Sequence, residues 1–133
     1  PERPALQALA QRLGLQAMDF AGNASDVPER LAAHGIFALL SDHEGLPISV
    51  IEAMRAGLAI VGSDLPGLRE LLPSGQHGVL TPNTPEAIAQ ALERLVRDPA
   101  LRGRLGQAAR ARYEQHHAPE PMASAILAIY AQV

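Results

Sequence analysis

Short apolar runs separated by helical stretches predict an α/β chain: a parallel sheet of about four strands with flanking helices and a helical C-terminal tail. Residues 36–40, 59–62 and 78–80 are apolar or small and of strand length, and helical signals lie between them. Strands alternating with helices imply crossover connections and parallel pairing, the Rossmann-like arrangement. From Pro82 onward only helical signals remain. The chain reads as a single, truncated domain over 1–133, with strands and helices in 1–82 and a helical tail in 83–133.

The elements follow in order. Leu6, Leu9 and Leu13 fall at helical spacing over residues 4–13, and Gly14 can end that helix. Residues 16–21 are a short strand candidate. Asp26 and Glu29 have capping-box spacing and open a short helix that stops at Gly35. The unbroken apolar run 36–40 suits a strand buried on both faces. Pro47 fits a first helical position and Gly57 a C′ position. Between them Ile48, Val50, Ile51, Ala53 and Met54 leave little polar face, so this helix is expected to be buried. Residues 59–62 are the next strand, 66–72 a short helix and 78–80 the last strand. Thr84-Pro85 and Asp98-Pro99 are cap-plus-proline starts. Ile88, Ala91, Leu92, Leu95 and Val96 share one face of the first of these helices. The second reaches about Gln115, and a last helix covers 121–131.

Composition narrows the function classes. The chain has 133 residues, 47% hydrophobic and 19% charged, and a formal net charge of −3. That balance gives a nucleic-acid partner little electrostatic support. All 11 basic residues are Arg, so no lysine chemistry is available. Without cysteine there is no disulfide or thiol chemistry. No apolar run approaches the ~18 residues of a membrane span, and no signal peptide is recognisable. The expected compartment is the cytoplasm, with peripheral attachment to a membrane an option for the full-length protein.

Parallel sheets bind ligands outside the carboxyl ends of their strands. The loops 41–46 and 63–67 follow two strands and are expected to line one crevice. Residues 44–52 read Glu-Gly-Leu-Pro-Ile-Ser-Val-Ile-Glu, two carboxylates around an otherwise apolar or small segment. A helix starting near Pro47 would turn free N–H groups and the positive end of its dipole toward the crevice, which suits a phosphate. Gly45 permits close approach of a ligand. A carboxylate repels phosphate, so Glu44 is expected to face a polyhydroxyl group. Glu52 lies about 7.5 Å along the axis from Pro47 at 1.5 Å per residue. It could accept two hydrogen bonds from a ribose diol. The blander alternatives are a solvated Glu44 and a Glu52 paired with Arg55 or Arg69. His43 could touch the same ligand or be a surface histidine. Glu70 could line the crevice or cap a helix. Asp42 reads as a cap or solvated residue, Ser49 lacks a His–Asp partner set, and the arginines at 102, 104, 110 and 112 read as a solvated face. His116-His117 suits a helix C-terminus. No metal site is expected.

Residues 44–54 resemble the E-x7-E signature of retaining glycosyltransferases of the GT-B fold, family 4 type. Similarity continues through Ala56-Gly57-Leu58-Ala59-Ile60-Val61, the Gly67–Glu70 turn, and Gly75-Gln76-His77-Gly78-Val79-Leu80. Asp98-Pro99, Leu105-Gly106 and Ala109-Arg110 are also typical of the family's helical tail. The resemblance implies the C-terminal, donor-binding domain of a two-domain enzyme of carbohydrate biosynthesis, acting on a UDP- or GDP-sugar without a further cofactor. It assigns the donor sugar to Glu44, the catalytic candidate, with positioning favoured over nucleophilic attack. It assigns sugar or diphosphate to the backbone amides of Gly45, Leu46 and Ile48, and the ribose to Glu52. Pro47 has no N–H to offer. His43, Gly67 and Glu70 are further candidates.

The resemblance also implies what lies outside the chain. The family's Arg and Lys that neutralise the diphosphate precede this segment, as does the N-terminal acceptor domain. Two family strands belong between residues 16–21 and 36–40. Either the remaining strands close that gap, or missing strands of the same protein or a second copy of the chain fill it. The chain alone is expected to lack transferase activity. Competing readings are a sugar-nucleotide epimerase of GT-B architecture and a non-catalytic nucleotide-binding or assembly module.

Overall fold

The structure, a computed structural model, describes residues 2–131. Its order is α1 (Arg3–Arg12), α2 (Val27–Ala32), β1 (Ile36–Leu39), α3 (Ile48–Arg55), β2 (Ala59–Ser63), α4 (Pro66–Leu71), a 3-10 turn (Pro73–Gly75), β3 (Val79–Thr81), α5 (Pro85–Arg97), α6 (Pro99–His116) and α7 (Pro119–Tyr130). The sheet is parallel in the order β1-β2-β3, with Ile36 opposite Ala59 and Val61 opposite Val79.

Three strands form among the described residues, not four. Residues 16–21 are irregular and mostly exposed. The segment sits against α1, where an Arg3 guanidinium nitrogen donates to the Phe20 carbonyl at 2.5 Å. A strand exists only through its neighbours, and the remaining strands do not close up to provide one. The same gap changes β1. Its apolar run predicts burial on both faces, yet it is only half-buried, with Ala38 exposed, because one edge is open. The strand buried throughout is β2.

Alternating side chains of β2 supply two apolar layers. Ile60 joins Val50, Ala53, Met54, Leu71, Leu72 and Ala109 on one side. Ala59 and Val61 join Ala91, Leu95, Leu101 and Leu105 on the other. α6 contributes to both layers because it crosses the amino end of β2. The crossing needs glycine at two positions. Gly57 (φ 72°) ends α3 in a Schellman motif, with Gly57 N–H donating to Met54 O at 3.0 Å and Leu58 N–H to Ala53 O at 3.1 Å. A Cβ on Gly106 would overlap the Gly57 carbonyl oxygen and lie 3.1 Å from its carbon.

Thr84 and Asp98 are caps as predicted, accepting from Ala87 N–H at 3.4 Å and Leu101 N–H at 2.8 Å. Asp26 is not: its Oδ1 accepts from Arg30 Nε at 2.8 Å, so an ion pair has displaced the cap. α3 opens at Ile48 with Pro47 as its N-cap, one residue later than expected. α7 opens two residues earlier than expected. Val96 shares the apolar spacing of α5 but is exposed, since the face that packs is centred on Ala91 and Leu95.

At the α6–α7 junction, His117 Nε2 is enclosed and has no hydrogen-bond partner among the described residues. Burial pushes its pKa down, and the charges of Arg112 and His116 add to this against an opposing effect of Glu70. The folded chain therefore takes up a proton on this ring less readily than the unfolded chain does.

Two outcomes follow from this packing. An interior helical Gly→Ala change normally stabilises by about 0.8–1 kcal/mol, and Gly103→Ala should do so, since a Cβ there meets nothing within 4 Å. Gly106→Ala should instead cost about 1–3 kcal/mol, read as a lower urea midpoint at unchanged m. For His117, the unfolded chain takes up a proton more readily than the folded one. Its contribution to stability is complete above the ordinary value of 6.5 and is lost as pH falls below it. Urea midpoints across pH 5–8 (about the range where histidine titrates) should show a shallower acid-side loss for His117→Gln than for the parent.

Candidate functional site

With α6 across the amino end of β2, the opposite ends of the strands carry the open loops. The loop after β1 and the turn after β2 come together there. Asp42, His43, Glu44 and Gly45 line a cavity of about 320 Å³ with Leu65 and Pro66. The predicted crevice thus forms between the two predicted loops.

Glu44 is half-buried at its mouth. Ser41 Oγ donates to Glu44 Oε1 at 2.8 Å, which leaves Oε2 available as an acceptor. Gly45 has ordinary backbone angles, and a Cβ there would meet nothing within 4 Å. Neither protein packing nor conformation demands glycine at this position; its bare backbone faces open space. Gly67 differs. A Cβ on it would overlap the Gly45 carbonyl oxygen and lie 3.3 Å from the Glu44 carbonyl oxygen. Gly67 therefore lets the Gly45–Leu46 peptide rest on the first turn of α4.

α3 starts immediately beyond. Pro47 is buried and extended (φ −76°, ψ 97°), with no side-chain cap. The N–H groups of Ile48 and Ser49 precede any carbonyl of their own helix that could accept them. The side chains of Leu46 and Ile48 are 63% and 59% exposed, so both point away from the core. Backbone N–H groups, an open glycine and a partly shielded carboxylate thus occur within six residues, an arrangement that can receive an anion beside a hydroxylated group.

Glu52 opens elsewhere. It is exposed and lines a second cavity, about 220 Å³, with Val27, Pro28, Leu31, Arg55 and Arg110 among its walls. The suspected ion pair with Arg69 does not form: Arg69 holds Asp64 through two hydrogen bonds, 2.7 and 3.0 Å. That guanidinium draws the Asp64 carboxyl below its ordinary range. No ion pair holds Glu52 among the described residues. Arg110, on the wall of the same cavity, pairs with Glu114 at 2.6 Å and bonds the Arg55 carbonyl.

His43 is an exposed member of the first cavity. Glu70 is not in its lining. It lies at the end of α4 toward the α6–α7 junction, where Arg112 donates to its carbonyl at 2.9 Å and its charge acts on His117. Among the described residues no group of three or more His, Asp or Glu side chains could hold a metal ion. No helix is long and apolar enough to cross a membrane.

Sequence reading missed Ser41, Ser63 and Asn83. Ser63 Oγ accepts from Ser41 N–H at 3.0 Å and Asn83 Nδ2 donates to Asp42 Oδ1 at 2.8 Å. Their only sequence signal is a polar residue at or just after each strand end.

Residues 1–112 match the family described as "Glycosyl transferases group 1". The chain is 33% identical over 112 residues to the alpha-D-kanosaminyltransferase of Streptomyces kanamyceticus, covering 80% of this chain and 29% of that protein. Among solved structures, sucrose-phosphate synthase from Thermosynechococcus elongatus superposes with a TM-score of 0.87 at 27% identity, over 98% of this chain and 34% of that one. HepE of Anabaena in complex with UDP superposes with a TM-score of 0.88 at 25% identity, over 99% and 38%. The chain thus spans about a third of the length of the relatives it matches. Its sheet, helical layers and open carboxyl edge are those of the C-terminal domain of GT-B structures, and the chain belongs to the group 1 glycosyltransferases.

Proposed function

We propose that this chain is the nucleotide-sugar-binding part of a retaining glycosyltransferase of family 4 type, with residues 44–52 as its E-x7-E segment. The observation that carries the proposal is the run of residues 44–49: Glu44, with one oxygen left unbonded, and Gly45, with an open backbone, line the cavity of about 320 Å³, and the uncapped N–H groups of α3 follow directly in the chain. Glu44 would accept hydrogen bonds from donor-sugar hydroxyls. The N–H groups of Gly45, Leu46 and Ile48 would hold the diphosphate. Glu52, unpaired among the described residues, would take the ribose diol at the second cavity, whose Val27 and Pro28 wall lies on the side of α2. Charge developing on the leaving diphosphate would be stabilised by the helix end. Structures of HepE with UDP and with UDP-glucose support a uridine donor as the first to try.

The cations that would face the diphosphate, the acceptor site and the strands completing the open edge of β1 are assigned to the remaining two thirds of a protein of the relatives' size. A carboxylate and one helix end do not neutralise a departing diphosphate alone. Sugar transfer by the 133-residue chain with UDP- or GDP-sugars should therefore be absent. Detectable transfer in a radiolabelled-donor assay would refute that division of labour.

Isothermal titration tests the site. UDP should bind, and Glu52→Ala should weaken it about tenfold or more, the value of a hydrogen bond to a charged acceptor. An unchanged UDP affinity in Glu52→Ala would remove the ribose assignment. Failure of the parent chain to bind any UDP- or GDP-linked ligand would remove the donor-site reading.

A further inference from the structure

The carboxylate of Glu44 sits on an eight-residue connection between β1 and α3, yet it is not left to the loop. Ser41 Oγ donates to Glu44 Oε1 at 2.8 Å. Ser41 is itself held through its backbone, whose N–H donates to Ser63 Oγ at 3.0 Å. Ser63 is the last residue of β2 and is 1% exposed, so its hydroxyl is fixed by the sheet. The same hydroxyl turns to Asn83 Oδ1 at 3.4 Å, after β3. Asn83 Nδ2 then donates to Asp42 Oδ1 at 2.8 Å, which returns to the residue beside Ser41.

We propose that Ser41 is a positioning residue for Glu44, and that Ser63, Asn83 and Asp42 lock the loop carrying both residues to the carboxyl ends of all three strands. The inference rests on the donor-site reading for what Glu44 touches, but the positioning itself does not need a ligand. A glutamate side chain otherwise samples several rotamers, and ordering it on ligand binding weakens the complex. The Ser41 hydroxyl orders it beforehand, at the cost of one lone pair on Oε1. Oε2 has no hydrogen-bond partner among the described residues and can accept from a sugar hydroxyl.

A purely structural stitch between strand ends would look similar around Ser63 and Asn83. It would not involve the Ser41 hydroxyl, whose acceptor is Glu44. Ser41→Ala therefore separates the two roles, because it keeps the N–H anchor to Ser63 and removes the arm to Glu44. Ser41 is half-buried and Asn83 exposed, so both variants should fold.

The test uses the labelled 133-residue chain. Three-bond side-chain couplings of Glu44 should report one χ1 rotamer in the parent, averaging in Ser41→Ala, and recovery in Ser41→Thr. Asn83→Ala should move the couplings the same way to a smaller extent. By titration, Ser41→Ala should weaken UDP-glucose about threefold to tenfold, the range of one neutral-donor hydrogen bond, while UDP stays within about twofold. Unchanged Glu44 couplings in Ser41→Ala overturn the proposal, as does an equal loss for UDP and UDP-glucose. If the couplings respond but the parent binds neither ligand, positioning stands and the donor-site reading falls.

Discussion

The strand β2 is the constraint on which the rest of the molecule depends. It is hydrogen-bonded on both edges and all five of its residues are buried. A strand covered on both faces requires a helical layer above and below, and Ile60 against Ala59 and Val61 assigns one apolar cluster to each. α6 serves both layers, which it can do only by crossing the amino end of β2 against Gly57. That crossing closes one end of the sheet. The other end is left to loops, and its last residue, Ser63, is a buried hydroxyl to which those loops attach.

The candidate site is a consequence of that asymmetry. Strand ends that converge at one edge bring three loops within hydrogen-bond reach, although the residues are 20 to 41 positions apart in sequence. Gly67 completes the arrangement by allowing the Gly45–Leu46 peptide onto α4. A carboxylate held this way differs from a solvated loop glutamate, because one oxygen is engaged by a side chain and the other is left to accept from a ligand. The separation of Glu44 and Glu52 into two cavities fits an extended ligand better than a compact one.

Much of the fold was legible where the signal is local. Gly57 and the caps Thr84 and Asp98 mark helix ends through contacts within three to five residues, and each behaves as its residue type demands. Legibility failed where a local pattern had a competitor. Asp26 has capping-box spacing, but Arg30 one turn later takes its carboxylate. Val96 has the right spacing for the core of α5, but the strip of that helix which meets the sheet is narrower than its apolar face. Residues 16–21 have strand-like composition and no strand to pair with, so composition alone could not decide their state.

The sequence by itself determined the α/β class, the parallel sense of the sheet and the helix boundaries to within two residues, and it singled out the segment 44–52 as the candidate site. Periodicity, proline and glycine act over one or two turns, and those properties need no more. Only the tertiary structure decided that β1 is an open edge, that Arg69 belongs to Asp64 and leaves Glu52 unpaired, and that Ser41, Ser63 and Asn83 hold Glu44 in place. Each of these is a choice among partners far apart in the chain, and such choices are made by packing rather than by spacing.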